Sequence, residues 1–550
     1  STWWLAALPL LARPSASSML VIGFGGGVTL EYLPPSVTSC DVIELEPKVI
    51  EANQRLSELR ALDPLADPRV HRHLGDARGA LALTTKQYDV IVSQPSHPWT
   101  AGASHLYTRE FLQEARSHLR EDGVFVQWML TSFLDEELLR TLSATILAVF
   151  PHARLYRPIP PMLVFLASTS PLDVERELAR TGEPIGSASE HWARMGIHSV
   201  NDVVAMLALE EDRLLELAAG AAVNTDEENL LAMRRVQGEG RSLSDERIDA
   251  ILLPWDPLLS PDGALASALG ESLDRPYLAL RMLELGLIGR MQLWLQKMGD
   301  EFDLAIAQAR LIAANTGQLE ASEQMAEQAL QRFARDPRSA RARFLVVQPY
   351  LRRAAKDDSL RPKLARGSSL TGPAGAVLKG MRALALGEWT KLPPLEPLLA
   401  QARATEPWYF EAAALRAHAR VQGVSPEDAQ RSGPEARGIR DRALAIHPDV
   451  ECLVARAEVG RRADMPEVLL ETTAELLRFL IRHDFGLQQS GQPFLHETHV
   501  ALIQETLRSV EPAVAVLEGD ARVRTARVQE VLGFVHSTKG VMSPVEKSGL

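Results

Sequence analysis

The stretch "MLVIGFGGGVT", Met19 to Thr29, decides the fold of this chain. Met19, Leu20, Val21 and Ile22 form an apolar run of the length and character of a buried strand, and the run breaks into Gly23, Gly25, Gly26 and Gly27. Glycine at such a turn lets the chain tighten, and it lets backbone N–H groups approach a ligand near the amino end of a following helix. Taken alone the motif is weak, because glycine-rich turns also serve plain packing of a strand against a helix. Its Gly-x-Gly-x-Gly spacing departs from the dinucleotide pattern, since Val28 holds the sixth place.

Further along, "CDVIEL" is a second strand ending at Glu44, 21 residues after Gly23, where a carboxylate can accept both hydroxyls of a ribose. "EPKVIEANQRLSELR" is a helix, and "VHRHLGDA" a third strand with Asp76 just beyond it, suited to accept from an adenine amino group. A glycine turn and two acids at three consecutive strand ends point to an adenosine-type ligand. The alternative is that all three serve structure only.

"YDVIVSQPSHPW", Tyr88 to Trp99, is a fourth strand that Pro95 and Pro98 convert into a polar loop carrying Gln94 and His97. A helix near "TREFLQEARSHL", the strand "GVFVQWML", a helix near 135–149 and the edge hairpin "HARLYRP" and "MLVFLAS" complete the pattern. Such alternation predicts an α/β, Rossmann-like domain with a mainly parallel sheet covered on both faces.

Residues 171–235 are helical and acidic, and the glycine- and serine-containing segment at 236–247 marks a boundary. Beyond about residue 260 strand signals nearly vanish. Ala402 with Pro407, and Ala443 with Pro448, repeat a spacing like that of the second helix of a tetratricopeptide repeat. An unrelated helical bundle is the alternative. The expected order is a nucleoside-binding transferase domain at 1–235, a linker at 236–260, an all-α helical repeat (TPR-like) domain at 261–535 and a flexible tail at 536–550.

With 550 residues, 46% hydrophobic and 24% charged, the chain has the composition of an ordinary soluble protein of several domains. Its net charge of -12 argues against a general nucleic-acid binder, which needs a basic surface. Two cysteines, Cys40 and Cys452, exclude a disulfide framework and fit a reducing compartment. The apolar start "TWWLAALPLLA" is too short to span a bilayer, and Pro9 interrupts it. A chain beginning at Ser1 without Met reads as a fragment or processed product, so membrane contact is expected only through segments upstream of Ser1.

The segments "VIGFGGGVTLEYL", "VIELEPKVIEANQ", "LGDAR", "YDVIVSQPSHPW", "LYTREFLQEARSHLREDGVFVQW" and "NTDEENLL" together resemble the spermidine synthase (polyamine aminopropyltransferase) family, a branch of the class I methyltransferase fold. The resemblance is strongest to the branch fused to membrane segments, and it covers about 40% of the chain, from Ser1 to Arg235. It implies a cytoplasmic transferase, or the cytosolic part of a membrane-anchored protein, working in polyamine biosynthesis. Decarboxylated S-adenosylmethionine, or S-adenosylmethionine, would be its co-substrate, with no metal, and an amine its acceptor. Gly23, Gly25 and Gly27 would cradle the nucleoside, Glu44 the ribose, and Asp76 and Ala77 would face adenine. Ser1 and Thr2 would edge the acceptor pocket.

The family's glycine loop usually reads Gly-Gly-Gly-Asp-Gly, and Gly26 stands at the aspartate; the loop after the fourth strand usually reads Asp-x-x-Asp-Pro, where this chain has Gln94 and His97. Both changes remove negative charge where a dicationic amine should sit. Baring an alkylamine of pKa about 10.4 at pH 7 costs roughly 4 to 5 kcal/mol, which a carboxylate pair could lower. His97 remains as a base, with Gln94 to orient the acceptor; alternatively His97 and Trp99 only pack the loop. The same residues leave open a methyltransferase using intact S-adenosylmethionine, and a catalytically impaired nucleoside-binding scaffold whose helical repeats hold a protein partner. "HETH" (His496–His499) and the strand pair His71 and His73 read as surface histidines rather than metal ligands.

Overall fold

In the computed structural model the described residues run from 2 to 316, apart from residue 32 and segments 56–62, 96–97, 99–101, 182–191, 193–196, 198, 234–241 and 260–263. Beyond 316 they are chiefly Gly372–Leu386 and parts of 457–474. The chain divides into two units, Ser1–Asp274 with Arg281–Lys297, and Arg275–Leu280 with Met298–Leu550.

The first unit is built on an eight-stranded sheet of order β3-β2-β1-β4-β5-β7-β6-β8. Its strands are β1 (Ser18–Ile22), β2 (Ser39–Glu44), β3 (Val70–Leu74), β4 (Tyr88–Ser93), β5 (Leu119–Leu130), β6 (His152–Ile159), β7 (Met162–Ser168) and β8 (Leu207–Leu209). β1 to β5 pair parallel, while β7 runs antiparallel between β5 and β6. This is a mixed, Rossmann-like α/β sheet.

Local chemistry explains the elements. β1 and β4 are buried on both faces along their centres, as central parallel strands must be, and Met19–Ile22 and Val90–Val92 are accordingly unbroken apolar runs. β3 lies at the edge with His71, Arg72 and His73 exposed, which an edge strand tolerates. Helix α1 (Trp4–Ala12) is apolar all round and buried. Of the sheet-covering helices, α2 (Pro47–Arg55) begins with proline, α3 (Ala77–Ala82) is capped by Asp76, α4 (Arg109–Ser117) by Thr108 and α5 (Glu136–Leu147) by Asp135. Phe111, Leu112, Leu139 and Leu142 press one layer of helices onto Ile91 and Phe125 of the sheet.

The structure differs from the expected linker at 236–260. Helix Asp245–Leu252 buries Ile248 and Leu252 in the same core, and Leu243 N–H donates to Leu134 O at 3.0 Å. Arg157 of β6 ion-pairs with Asp245 at 2.9 Å and with Asp249. A glycine-rich turn marks a change of direction, and the amphipathic helix after it found its partner surface on the sheet. β8, in a segment read as helical, pairs with β6 through Leu209 and Leu155. The second unit holds helices Glu301–Thr316 and Gly372–Leu386; the repeat spacings around Ala402, Pro407, Ala443 and Pro448, and the tail at 536–550, lie outside the described residues. No helix among the described residues is long and apolar enough to cross a membrane.

Candidate active site

In the strand order, the chain leaves β1 toward β2 and β3, then returns to β4 on the other side of β1. The crevice at the carboxyl ends of β1 and β4 is therefore the switch point, where open α/β sheets bind ligands.

Three strand tips are stitched together there. Phe24 N–H donates to Glu44 Oε2 at 2.8 Å, and Glu46 N–H to Glu44 Oε1 at 2.9 Å. Gly23 N–H donates to Ile43 O at 2.8 Å, and Gly75 N–H to Glu44 O at 3.0 Å. Glu44 is buried and its carboxylate holds the glycine loop directly, so its first task is to shape the turn. Each oxygen keeps further acceptor capacity on its remaining lone pair.

The loop needs glycine at two positions for different reasons. Gly23 has φ of +88°, and a Cβ there would lie 2.7 Å from Gln94 O, so β4 closes the space. Gly25 has φ of +53° with nothing within 4 Å of a Cβ, so its backbone faces open space. Gly27, φ +72°, begins the short turn Val28–Leu30. Asn53 of α2 fixes the loop from below, its Nδ2 donating to Gly25 O at 2.8 Å.

Asp76 caps α3 by accepting from Gly79 N–H at 2.7 Å, and Ala77 is buried as the first helical residue. Their neighbour Arg78 makes a two-bond fork to Asp226, both contacts at 2.8 Å. Asp226 also accepts from Thr108 Oγ1 at 2.8 Å, and its own N–H donates to Glu110 Oε2 at 2.9 Å. The Arg78 guanidinium, outweighing partial burial, holds the Asp226 carboxyl well below the usual carboxylate range, with Thr108 adding to the effect. The "NTDEEN" segment thus ties the turn after β3 to the amino end of α4.

Gln94 is engaged more fully than its sequence position suggests. Its Nε2 donates to Gly23 O at 2.6 Å and its Oε1 accepts from Thr29 Oγ1 at 2.7 Å, while Thr29 Oγ1 also contacts Thr2 O at 3.2 Å. The amide expected to orient an acceptor is a latch across the glycine loop. His97 lies outside the described residues, as do Ser1, Trp99 and His496–His499.

Sequence reasoning passed over two residues beside this latch. Ser93, at the tip of β4, lies opposite Gln127 of β5 in the parallel register, and both are fully buried. Gln127 Nε2 donates to Ser93 O at 3.3 Å, but Ser93 Oγ and Gln127 Oε1 have no partner, nor has Trp128 Nε1. Buried polar atoms are paired as a rule, so such orphans call for a ligand or water. Polar residues inside the otherwise apolar "VIVS" and "VFVQW" runs were the available signal.

Elsewhere, Asp89 Oδ2 accepts the N–H groups of Ser17 and Ser18 at 2.8 and 2.9 Å, a backbone-holding role. His73 Nε2 sits 3.4 Å from Asp41 Oδ1, and no group of three or more metal-capable side chains occurs among the described residues. A cavity of about 710 Å³ lined by Asp135, Arg140, Glu216, Leu243, Arg247 and Trp255, among others, involves none of the strand-tip residues.

Residues 2–167 match the spermine/spermidine synthase domain. Among curated relatives, a polyamine aminopropyltransferase of Bacillus mycoides is 35% identical over 156 residues, 28% of this chain and 55% of that protein. One from Bacillus subtilis is 32% identical over 154 residues, again 28% and 55%. The chain thus spans about half the length of the curated relatives it matches. A spermidine synthase solved in complex with the transition state analogue AdoDATO is 23% identical, covering 40% of this chain and 74% of that one, with a TM-score of 0.32.

Proposed function

We propose that the first unit binds decarboxylated S-adenosylmethionine and transfers its aminopropyl group to an amine. The observation that carries this reading is the junction of Phe24, Glu44 and Gly75, which draws the tips of β1, β2 and β3 into one place. The open backbone of Gly25 offers room for close approach of a ligand, and the Glu44 and Asp76 carboxylates suit ribose and adenine donors. The match of residues 2–167 supports the same class of chemistry.

The co-substrate brings the activated carbon, because a sulfonium is a good leaving group. The chain's own contribution is placement, which can supply a large share of the rate in a bimolecular transfer. Glu44 holds the glycine loop from β2, Gln94 from β4 and Asn53 from α2. The loop after β4, anchored by Gln94, lies across β1 from the acids.

Titration calorimetry with methylthioadenosine, followed by an assay for its release from decarboxylated S-adenosylmethionine and an amine, tests the reading. Micromolar binding and amine-dependent release are expected. Absence of binding, or an Asp76→Ala variant of unchanged affinity, refutes the placement.

A further inference from the structure

We infer that Arg78 and Asp226 are a positioning pair for the nucleoside: their two-bond fork holds Asp76 where its carboxylate meets the adenine amino group. The inference rests on the transferase reading above and adds to it two residues that act through Asp76.

Asp76 stands on an element that cannot hold itself in place. α3 has six residues, and a helix so short depends on tertiary ties. Ala77 and Leu81 bury its inner face, but apolar contact is non-directional. Direction comes from Arg78, two residues after Asp76, whose guanidinium donates to both oxygens of Asp226, each at 2.8 Å. Such a fork fixes angle as well as distance.

The far end of the fork is itself fastened. Asp226 N–H donates to Glu110 Oε2 at 2.9 Å, and Thr108 Oγ1 donates to Asp226 Oδ1 at 2.8 Å. Asn224, two residues earlier, is fully buried, with its N–H on Thr145 Oγ1 at 2.9 Å and its Nδ2 on Tyr107 O at 3.0 Å. Asp226 is thereby tied to the start of α4 and, through Asn224, to α5, and the turn after β3 takes its place from that anchor. Asp76 is exposed and commits only Oδ2 to Gly79 N–H, at 2.7 Å, so Oδ1 keeps its capacity for a donor on the ligand. A hydrogen bond weakens steeply with misplacement. A turn released from the fork should therefore lose the contact with the amino group and little else.

The test measures, by calorimetry on the whole chain at pH 7, the affinity for methylthioadenosine and for its analogue with hydrogen in place of the 6-amino group. Wild type is expected to prefer methylthioadenosine. Asp226→Asn and Arg78→Lys, neither of which can complete the fork, should each weaken methylthioadenosine binding about tenfold or more while changing the analogue by less than about threefold. Asp89→Asn serves as the structural control. It loosens bonds to Ser17, Ser18 and Arg120 at the opposite end of the strands, and should lower the melting temperature with both affinities unchanged. Equal loss for the two nucleosides, a matching loss in Asp89→Asn, or unchanged affinities in the fork variants overturns this inference alone, as does a wild type that binds both nucleosides equally. Should Asp226→Asn fail to fold, Arg78→Lys decides by the same comparison. A wild type that binds neither nucleoside overturns the transferase reading and this inference with it.

Discussion

The carboxylate of Glu44, at the end of β2, accepts the backbone N–H of Phe24 in the glycine loop after β1, at 2.8 Å. A charged acceptor on a backbone donor is among the stronger hydrogen bonds, and a second one to Glu46 N–H holds the other oxygen. Glu44→Ala should therefore cost about 1 to 3 kcal/mol of stability by leaving the buried Phe24 N–H unpaired. It should also weaken methylthioadenosine binding at least tenfold. Chemical denaturation and calorimetry on the same variant check both; full affinity would show that the loop holds its shape without Glu44.

Gly23 and Gly25 should separate folding from binding. Gly23→Ala places a Cβ 2.7 Å from Gln94 O at a left-handed φ, and about 2 to 4 kcal/mol of destabilisation is expected. Gly25→Ala meets open space and bears only the left-handed penalty of about 1 to 2 kcal/mol, yet its methyl enters the side from which the ligand would approach. Melting temperatures should fall more for Gly23→Ala. Nucleoside affinity, measured where both variants are folded, should fall more for Gly25→Ala.

Gln94→Ala removes the latch between Gly23 O and Thr29 Oγ1. A loss of about 1 to 2 kcal/mol is expected from the two bonds. Faster hydrogen exchange of the amides at 23–29 should accompany it. Gln94→Asp, too short to span the same gap, should behave like the alanine variant in exchange. Unchanged exchange in both would mean that the loop does not depend on the latch.

Asp226 sets an acid-side dependence. Its folded pKa lies below the unfolded value of about 3.9 because Arg78 favours the charged form. The stability it contributes is fully present above that unfolded value and is lost as pH falls from about 4 toward the folded pKa. Asp226→Asn should lower stability at pH 7 and flatten the decline below pH 4. Urea denaturation between pH 3 and 7 reads both, and parallel curves for the two proteins would contradict the assignment.

Much of the first unit was legible because burial leaves a mark on composition. The runs at Met19–Ile22 and Val90–Val92 read as buried strands, whereas the helix caps Asp76, Thr108 and Asp135 came to light only in the structure, the expected role of Asp76 being toward adenine. The hairpin of β6 and β7 was legible from "PIPP" between two apolar runs. β8 was not, since its three residues continue the apolar run that begins at Val203 and carry no period of their own. The core role of Ile248 and Leu252 was hidden too, because the composition of 236–247 signals a turn without saying whether the chain then leaves the domain.

At the site, the sequence by itself determined which residue types stand at each strand tip: glycines after β1, acids after β2 and β3, and no acid after β4. Only the tertiary structure decided how they are used. Glu44 and Gln94 lie 50 residues apart in sequence, and both were read as reaching for ligands, yet both brace the same glycine loop. Parallel pairing of β1 with β2 on one side and β4 on the other brings their ends to the loop, where unpaired backbone groups at close range take up side-chain partners first.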